Sequence, residues 1–233
     1  MGRQIRGLLY FFITHQRYSL MIFWTILLSI LVVSLSFSYF LLDVEDGAFY
    51  FGFAFAVYFY CAILGFMTVK ESIPFSLKMG ATRKNMFISI GLFFLSIAFA
   101  KAVVASTLQE ITLLFTEATN LHTFSFLHLA SFLQDTWLNR VIIDTAIMFF
   151  LSAIMFIIGL LFYKYGLAGG GTVAGAFIVL LLLGIAQGWI IDFFIDLFSD
   201  IELTFFFQIL GVGIMIYCIS FLFIRRVTTV NTK

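Results

Sequence analysis

Six apolar runs, each about long enough to cross a lipid bilayer, dominate this chain of 233 residues and leave it few folds. They read Leu20–Leu42, Ala48–Val69, Met86–Leu108, Asn139–Phe162, Thr172–Ile191 and Thr204–Ile224. A helix rises about 1.5 Å per residue, so roughly 20 apolar residues span a hydrocarbon core of ~30 Å. In lipid a backbone has no water to bond, so such segments must close their hydrogen bonds internally as helices. Hydrophobic residues make up 63% of the chain and charged residues 11%, with a mean hydropathy of +1.12, which excludes an ordinary soluble domain. The expected fold is an all-α membrane protein with six transmembrane helices in one domain over residues 1–233. No room remains for a soluble catalytic domain of about 100 residues.

The segments between the spans carry the remaining detail. Arg3, Arg6 and Arg17 stand among Ile5, Leu8, Leu9, Phe12 and Ile13, which repeat at helical spacing. Residues 2–18 are therefore expected to form an amphipathic interfacial helix ahead of the first span. A plain basic anchor is the alternative. No cleavable leader is expected, because the first apolar run is too long for a signal core. The link 109–138 is apolar but broken by Glu117, Asn120, His122, His128 and Asp135, and is expected to lie as short helices on the outer surface, with a seventh span there as the alternative. Cys61 and Cys218 fall inside apolar runs, which suits free thiols better than a disulfide framework.

Charge sets the orientation. With six spans, 11 of the 13 Lys and Arg residues collect on the side of both termini, and ten of the 12 acids on the other. By the positive-inside bias both termini are cytoplasmic, in a multi-pass protein of the plasma membrane. No dense basic patch exists outside the membrane flanks, so no nucleic-acid partner is expected.

Between spans two and three lies a short basic stretch with the chain's one proline, Pro74. Proline suits the first turn of a helix, Gly80 can stop one, and Thr82 can cap the next. The spacing thus predicts a short separate helix, a glycine break and then span three, with an ordinary basic cytoplasmic loop as the alternative. Such an element, fused closely to two spans, can carry a push into the bilayer.

The run Ile73-Pro74-Phe75-Ser76-Leu77-Lys78-Met79-Gly80-Ala81-Thr82-Arg83-Lys84-Asn85-Met86-Phe87 resembles the loop between spans two and three of ABC-2-type exporter permeases of Gram-positive bacteria. The shared pattern is a proline–phenylalanine pair, a glycine, then a threonine with two basic residues and an aromatic. Length, span number, N-terminal helix and the Arg225-Arg226 pair are also similar to that family. In size the chain looks most like the permeases of exporters for amphipathic peptides, including phenol-soluble modulins. The resemblance implies that residues 70–85 form a coupling loop that docks on a separate ABC ATPase subunit. Pro74, Phe75, Leu77, Lys78, Met79 and Gly80 would be the docking element, with Arg83 and Lys84 at its base. It also implies a second permease chain and a hydrophobic or amphipathic cargo, cytolytic or antimicrobial peptides among the candidates. ATP and Mg would sit on the partner ATPase, with no cofactor bound by this chain. One departure stands: the family commonly places re-entrant helices before its last span, whereas here the long outer segment precedes span four.

Two ionisable side chains lie within spans, Lys101 and Asp144, at similar depth in the outer half of the bilayer. They can pair between helices. Asp144 can instead pair with Arg140 four residues away on one helix face, or the charges can snorkel to the surface. Asp192, Asp196 and Asp200 repeat every four residues, with Glu202 just beyond, forming an acidic outer face. It can meet charged cargo, or merely reflect the exclusion of bases from that side. Gly166, Gly169, Gly170, Gly171 and Gly175 lack the Lys-Ser/Thr ending of a phosphate-binding loop and suit a flexible link or close helix packing. The three histidines have no metal-site spacing, and no nucleophile–base set stands at one depth, so the chain is expected to be non-catalytic. A six-span carrier or channel, or a non-transporting scaffold or sensor, remains open beside the exporter.

Overall fold

The computed structural model describes residues 2–42, 44, 47–192, 195 and 201–225. The elements run α1 (Gly2–Phe40), β1 (Phe49–Phe51), α2 (Phe53–Lys78), α3 (Arg83–Ala118), β2 (Phe124–Phe126), a 3-10 turn (Leu129–Phe132), α4 (Trp137–Ala186) and α5 (Leu203–Ile224). Five of these helices are long and apolar enough to cross a membrane, among the described residues. The protein is a multi-helix bundle with the composition of a membrane protein.

The predicted fourth and fifth spans fall in one helical run, α4, whose 50 residues would measure about 75 Å if straight. They do not run straight. Gly166 has φ 67° and ψ −171°, outside helical geometry, and a Cβ on Gly170 would lie 2.5 Å from the Phe162 ring. Eight residues of straight helix would separate those positions by about 12 Å, so α4 bends sharply at Gly166. Glycine adopts that φ without the steric cost other residues meet. The glycine cluster is thus a break, as its composition suggested.

Two expectations are corrected. Residues 2–18 are not a separate interfacial helix. They are the first part of α1, which continues unbroken through the first apolar run, with Leu8 and Phe12 buried. Nothing between Tyr18 and Leu20 can break a helix, and burial of that face outweighs a change of direction. Likewise residues 109–118 continue α3, with Gln109, Thr112 and Thr116 buried on its packed face. Only after Thr119 does the chain turn. Asn120 takes φ 54°, and the Leu121 N–H donates to the Thr116 carbonyl at 2.8 Å. The outer segment then forms β2, which pairs in parallel with β1 in the register Phe49↔Phe124, Tyr50↔Ser125 and Phe51↔Phe126. Alternate phenylalanines share a face there, Phe49 stacking on Phe124 at 6.1 Å.

Packing follows small residues. A Cβ on Gly65 of α2 would sit 2.3 Å from the Ser152 carbonyl of α4, and one on Gly159 would meet Val69 at 2.9 Å. Lipid is as apolar as leucine, so helices associate through close backbone approach and hydrogen bonds rather than hydrophobic burial. The Ser152 hydroxyl donates across the same seam to the Cys61 carbonyl at 3.1 Å. On the other side Tyr217 of α5 stacks on Phe87 of α3, centroids 4.5 Å apart, and its hydroxyl donates to the Phe87 carbonyl at 2.5 Å. Among the described residues, Cys61 and Cys218 are free thiols, the first buried and the second exposed.

Candidate functional site: the hairpin and the buried charges

The turn between α2 and α3 is built as its residue types dictate at two of three points. Gly80 has φ 75°, its N–H donates to Leu77 O at 3.0 Å, and the Ala81 N–H donates to Ser76 O at 3.0 Å. These bonds satisfy carbonyls that the helix end leaves open. Thr82 then caps α3, its side chain accepting from the Asn85 N–H at 3.3 Å. Pro74 departs from expectation. It lies inside α2, near the end of one continuous helix, and does not open a separate short one. Its missing N–H removes one bond, that to the Lys70 carbonyl. The flanking Ser72, Ile73 and Ser76 are all buried, which holds the helix in place across that gap.

Of the residues named in this stretch, Lys78, Met79, Gly80, Arg83 and Lys84 stand at the surface, and Met79 is 67% exposed. Leu77 is half-buried. Phe75 has a different role, since its ring stacks on Phe11 of α1 with centroids 4.0 Å apart and planes 11° from parallel. α1 grips the hairpin at two further points. The Gln4 amide donates to Gly80 O at 3.1 Å and accepts from the Asn85 amide. His15 Nε2 meets Glu71 Oε2 at 3.2 Å. At the base, the Arg83 guanidinium donates to the Arg225 carbonyl at 2.5 Å. The hairpin is thus joined to α1 and α5 as well as to its own two helices. Gln4, Phe11 and His15 were not singled out in sequence. Their only signal is the spacing that puts Phe11 and His15 on one helix face.

The intramembrane charges take neither pairing expected of them. Asp144 accepts at Oδ1 from the Tyr58 hydroxyl at 2.5 Å and from His128 Nε2 at 3.0 Å, all three residues being buried. The His128 Nδ1 accepts from the Ala130 N–H at 2.9 Å, so the ring proton sits on Nε2 and is donated to the carboxylate. Arg140 instead bonds Asp135 at 2.5 Å and Glu110 at 2.9 Å. It gains two carboxylates there, where Asp144 already holds two neutral donors. Lys101 is 3% exposed, and its ammonium lies 3.3 Å from the centre of the Tyr60 ring and 4.2 Å from that of Phe23. Ring faces are electron-rich and hold a cation, yet Lys101 Nζ has no hydrogen-bond acceptor among the described residues. The Tyr60 hydroxyl accepts from Gln16 at 3.1 Å and donates to Ser19 at 3.0 Å, which fixes that ring against α1.

His128 and Asp135 thus fasten the outer segment to α4, and Ser38 of α1 holds Thr123 at 2.7 Å. The segment is a packed cap on the bundle rather than helices resting on the surface. Tyr58, His128 and Glu110 escaped notice as partners because each contact joins different elements, whereas Asp135 stands only five residues before Arg140. On the acidic outer face, Asp192 and Glu202 are exposed, while Asp196 and Asp200 lie outside the described residues. Among the described residues no group of three His, Cys, Asp or Glu side chains is placed to hold a metal.

No protein-family model, curated protein or solved structure matches this chain. The features that bear on function are therefore its own: an exposed basic hairpin joined to α1 and α5, a buried ammonium between two aromatic rings, and a buried carboxylate bonded by Tyr58 and His128.

Proposed function

We propose that the chain is the permease subunit of an ATP-driven ABC exporter, forming half of a path for a hydrophobic or amphipathic substrate, amphipathic peptides among the candidates. The carrying observation is the exposed tip Lys78-Met79-Gly80 between α2 and α3, braced from behind by α1 through the Gln4 bond to Gly80 O and the Phe11–Phe75 stack. A surface that receives force must present side chains to a partner and be stiff behind them. This tip meets both needs. The fold is then ABC-2-like with six spans, α4 counting as two on either side of Gly166, and both termini lie in the cytoplasm of a plasma-membrane protein. Two such chains pair with cytoplasmic ATPase subunits that bind ATP and Mg. Closure of the ATPases pushes the hairpin, and the Phe11–Phe75 stack and the His15–Glu71 contact pass the movement to α1.

Met79→Glu tests the docking. The side chain is exposed, so the variant is expected to insert and fold as wild type while losing co-purification with its ATPase. Unchanged co-purification and unchanged ATPase stimulation would sink the docking assignment. A second reading, an ion-coupled carrier, is favoured by the buried Lys101 and Asp144, since ionisable groups inside a membrane commonly mark an ion or substrate path. Flux in vesicles driven by an ion gradient, with no nucleotide present, separates it from the exporter.

A further inference from the structure

A cavity of about 620 Å³ opens between the end of the first half of α4 and the end of α5, lined by Lys164, Tyr165, Ile219, Leu222, Phe223 and Arg225. Its chemistry is lopsided. Among the described residues, two cations line it and no carboxylate does. The Lys164 ammonium stands 4.7 Å from the centre of the Tyr165 ring and 5.9 Å from that of Phe223, so aromatic faces hold it at the mouth. Neither Lys164 nor Arg225 forms an ion pair among the described residues. A third base adjoins, since Arg83 donates to the Arg225 carbonyl. The remaining wall is apolar and continues onto open helix surface, with Ile219 51% and Leu222 61% exposed.

We propose that this cavity holds one anionic phospholipid, its phosphate between Lys164 and Arg225 and an acyl chain along Ile219 and Leu222. Both bases sit where apolar helical runs end, Lys164 just before the Gly166 break and Arg225 just after α5, and basic pockets between membrane helices suit acidic headgroups. Arginine and lysine give a phosphate charge-assisted hydrogen bonds that a choline-shielded headgroup satisfies less well. A soluble phosphate compound fits the cations but leaves the apolar wall unused. The site is independent of the exporter assignment. It adjoins the Gly166 break and, through Arg83, the base of the α2–α3 hairpin, so an occupying lipid steadies the joint where α3, α4 and α5 meet.

The test is native mass spectrometry of the full chain, delipidated in mild detergent and given phosphatidylglycerol or phosphatidylcholine with identical acyl chains. One phosphatidylglycerol is expected to be retained, with a preference of about tenfold or more from the two bases. Lys164→Ala with Arg225→Ala should lower retention to the phosphatidylcholine level, whereas Arg3→Ala with Arg6→Ala, an equal loss of charge elsewhere, should not. Lys164→Arg with Arg225→Lys keeps both charges and should keep the lipid. Equal loss in the two alanine pairs would mean diffuse charge attraction and overturn the site. Equal retention of both lipids by wild type would overturn it without any variant. Displacement of the lipid by an equal concentration of glycerol phosphate would assign the cavity to a soluble phosphate instead.

Discussion

Residues 137–165 of α4 include Arg140, Asp144, Ser152 and Gly159, every one buried, whereas in residues 167–186 the run from Phe177 to Leu183 is at least 40% exposed at each position. Both halves are apolar enough to cross a membrane, so hydropathy does not tell them apart. Polar residues do. An apolar side chain gains little by leaving lipid for protein, whereas a hydroxyl or a charge gains a bonded partner. The first half therefore packs along α2 and α3, and the second leaves most of its side chains exposed.

That contrast can be broken most directly at a glycine. Gly65→Leu drives a side chain into the Ser152 backbone of the first half and should lower stability by about 3 kcal/mol. Gly175→Leu in the second half meets nothing within 4 Å and should change it by less than about 0.5 kcal/mol. Unfolding in mixed micelles by graded denaturing detergent measures both, and equal losses would erase the distinction. Next in size is Asp144→Leu, which strips the acceptor from Tyr58 and His128 and should cost about 2 kcal/mol. The same assay should show His128→Ala costing less, because Tyr58 keeps its bond.

Lys101→Met should move the other way. It keeps the volume and removes a buried ammonium that has no hydrogen-bond acceptor among the described residues, so stability should rise by about 1 kcal/mol. Transport that falls while stability rises would mark Lys101 as a working charge, whereas unchanged transport would leave it a packing residue. The smallest effect belongs to the bare half. Leu180→Ala should stay within about 0.5 kcal/mol for a single chain. A larger loss in the assembled protein would show that another chain covers that face.

Much of the framework was legible beforehand. The apolar runs became helices, Gly80 and Thr82 stop and start helices as their types require, and the glycine cluster breaks α4 at Gly166. What misled was local plausibility. Pro74 looks like a helix start, but buried neighbours keep α2 continuous through it. The basic N-terminal stretch looks interfacial, yet Phe11 and Gln4 find partners 64 and 76 positions away. Phe49–Phe51 and Phe124–Phe126 are too short, and too deep in apolar sequence, for their alternation to declare a strand pair.

Composition and spacing alone determined that this is a helical protein suited to a membrane, that Gly80 and Thr82 mark the turn between α2 and α3, and that this short turn is exposed and basic. Those properties depend on each residue and its near neighbours, through hydropathy, caps and glycine geometry. Tertiary structure decided who partners whom. Asp144 takes Tyr58 and His128, Arg140 takes Glu110 from α3, and Lys101 is left between two aromatic rings. A buried charge accepts any suitable donor or acceptor within about 3 Å. Which group comes that near is set by how distant helices pack, and spacing along one chain does not carry that information.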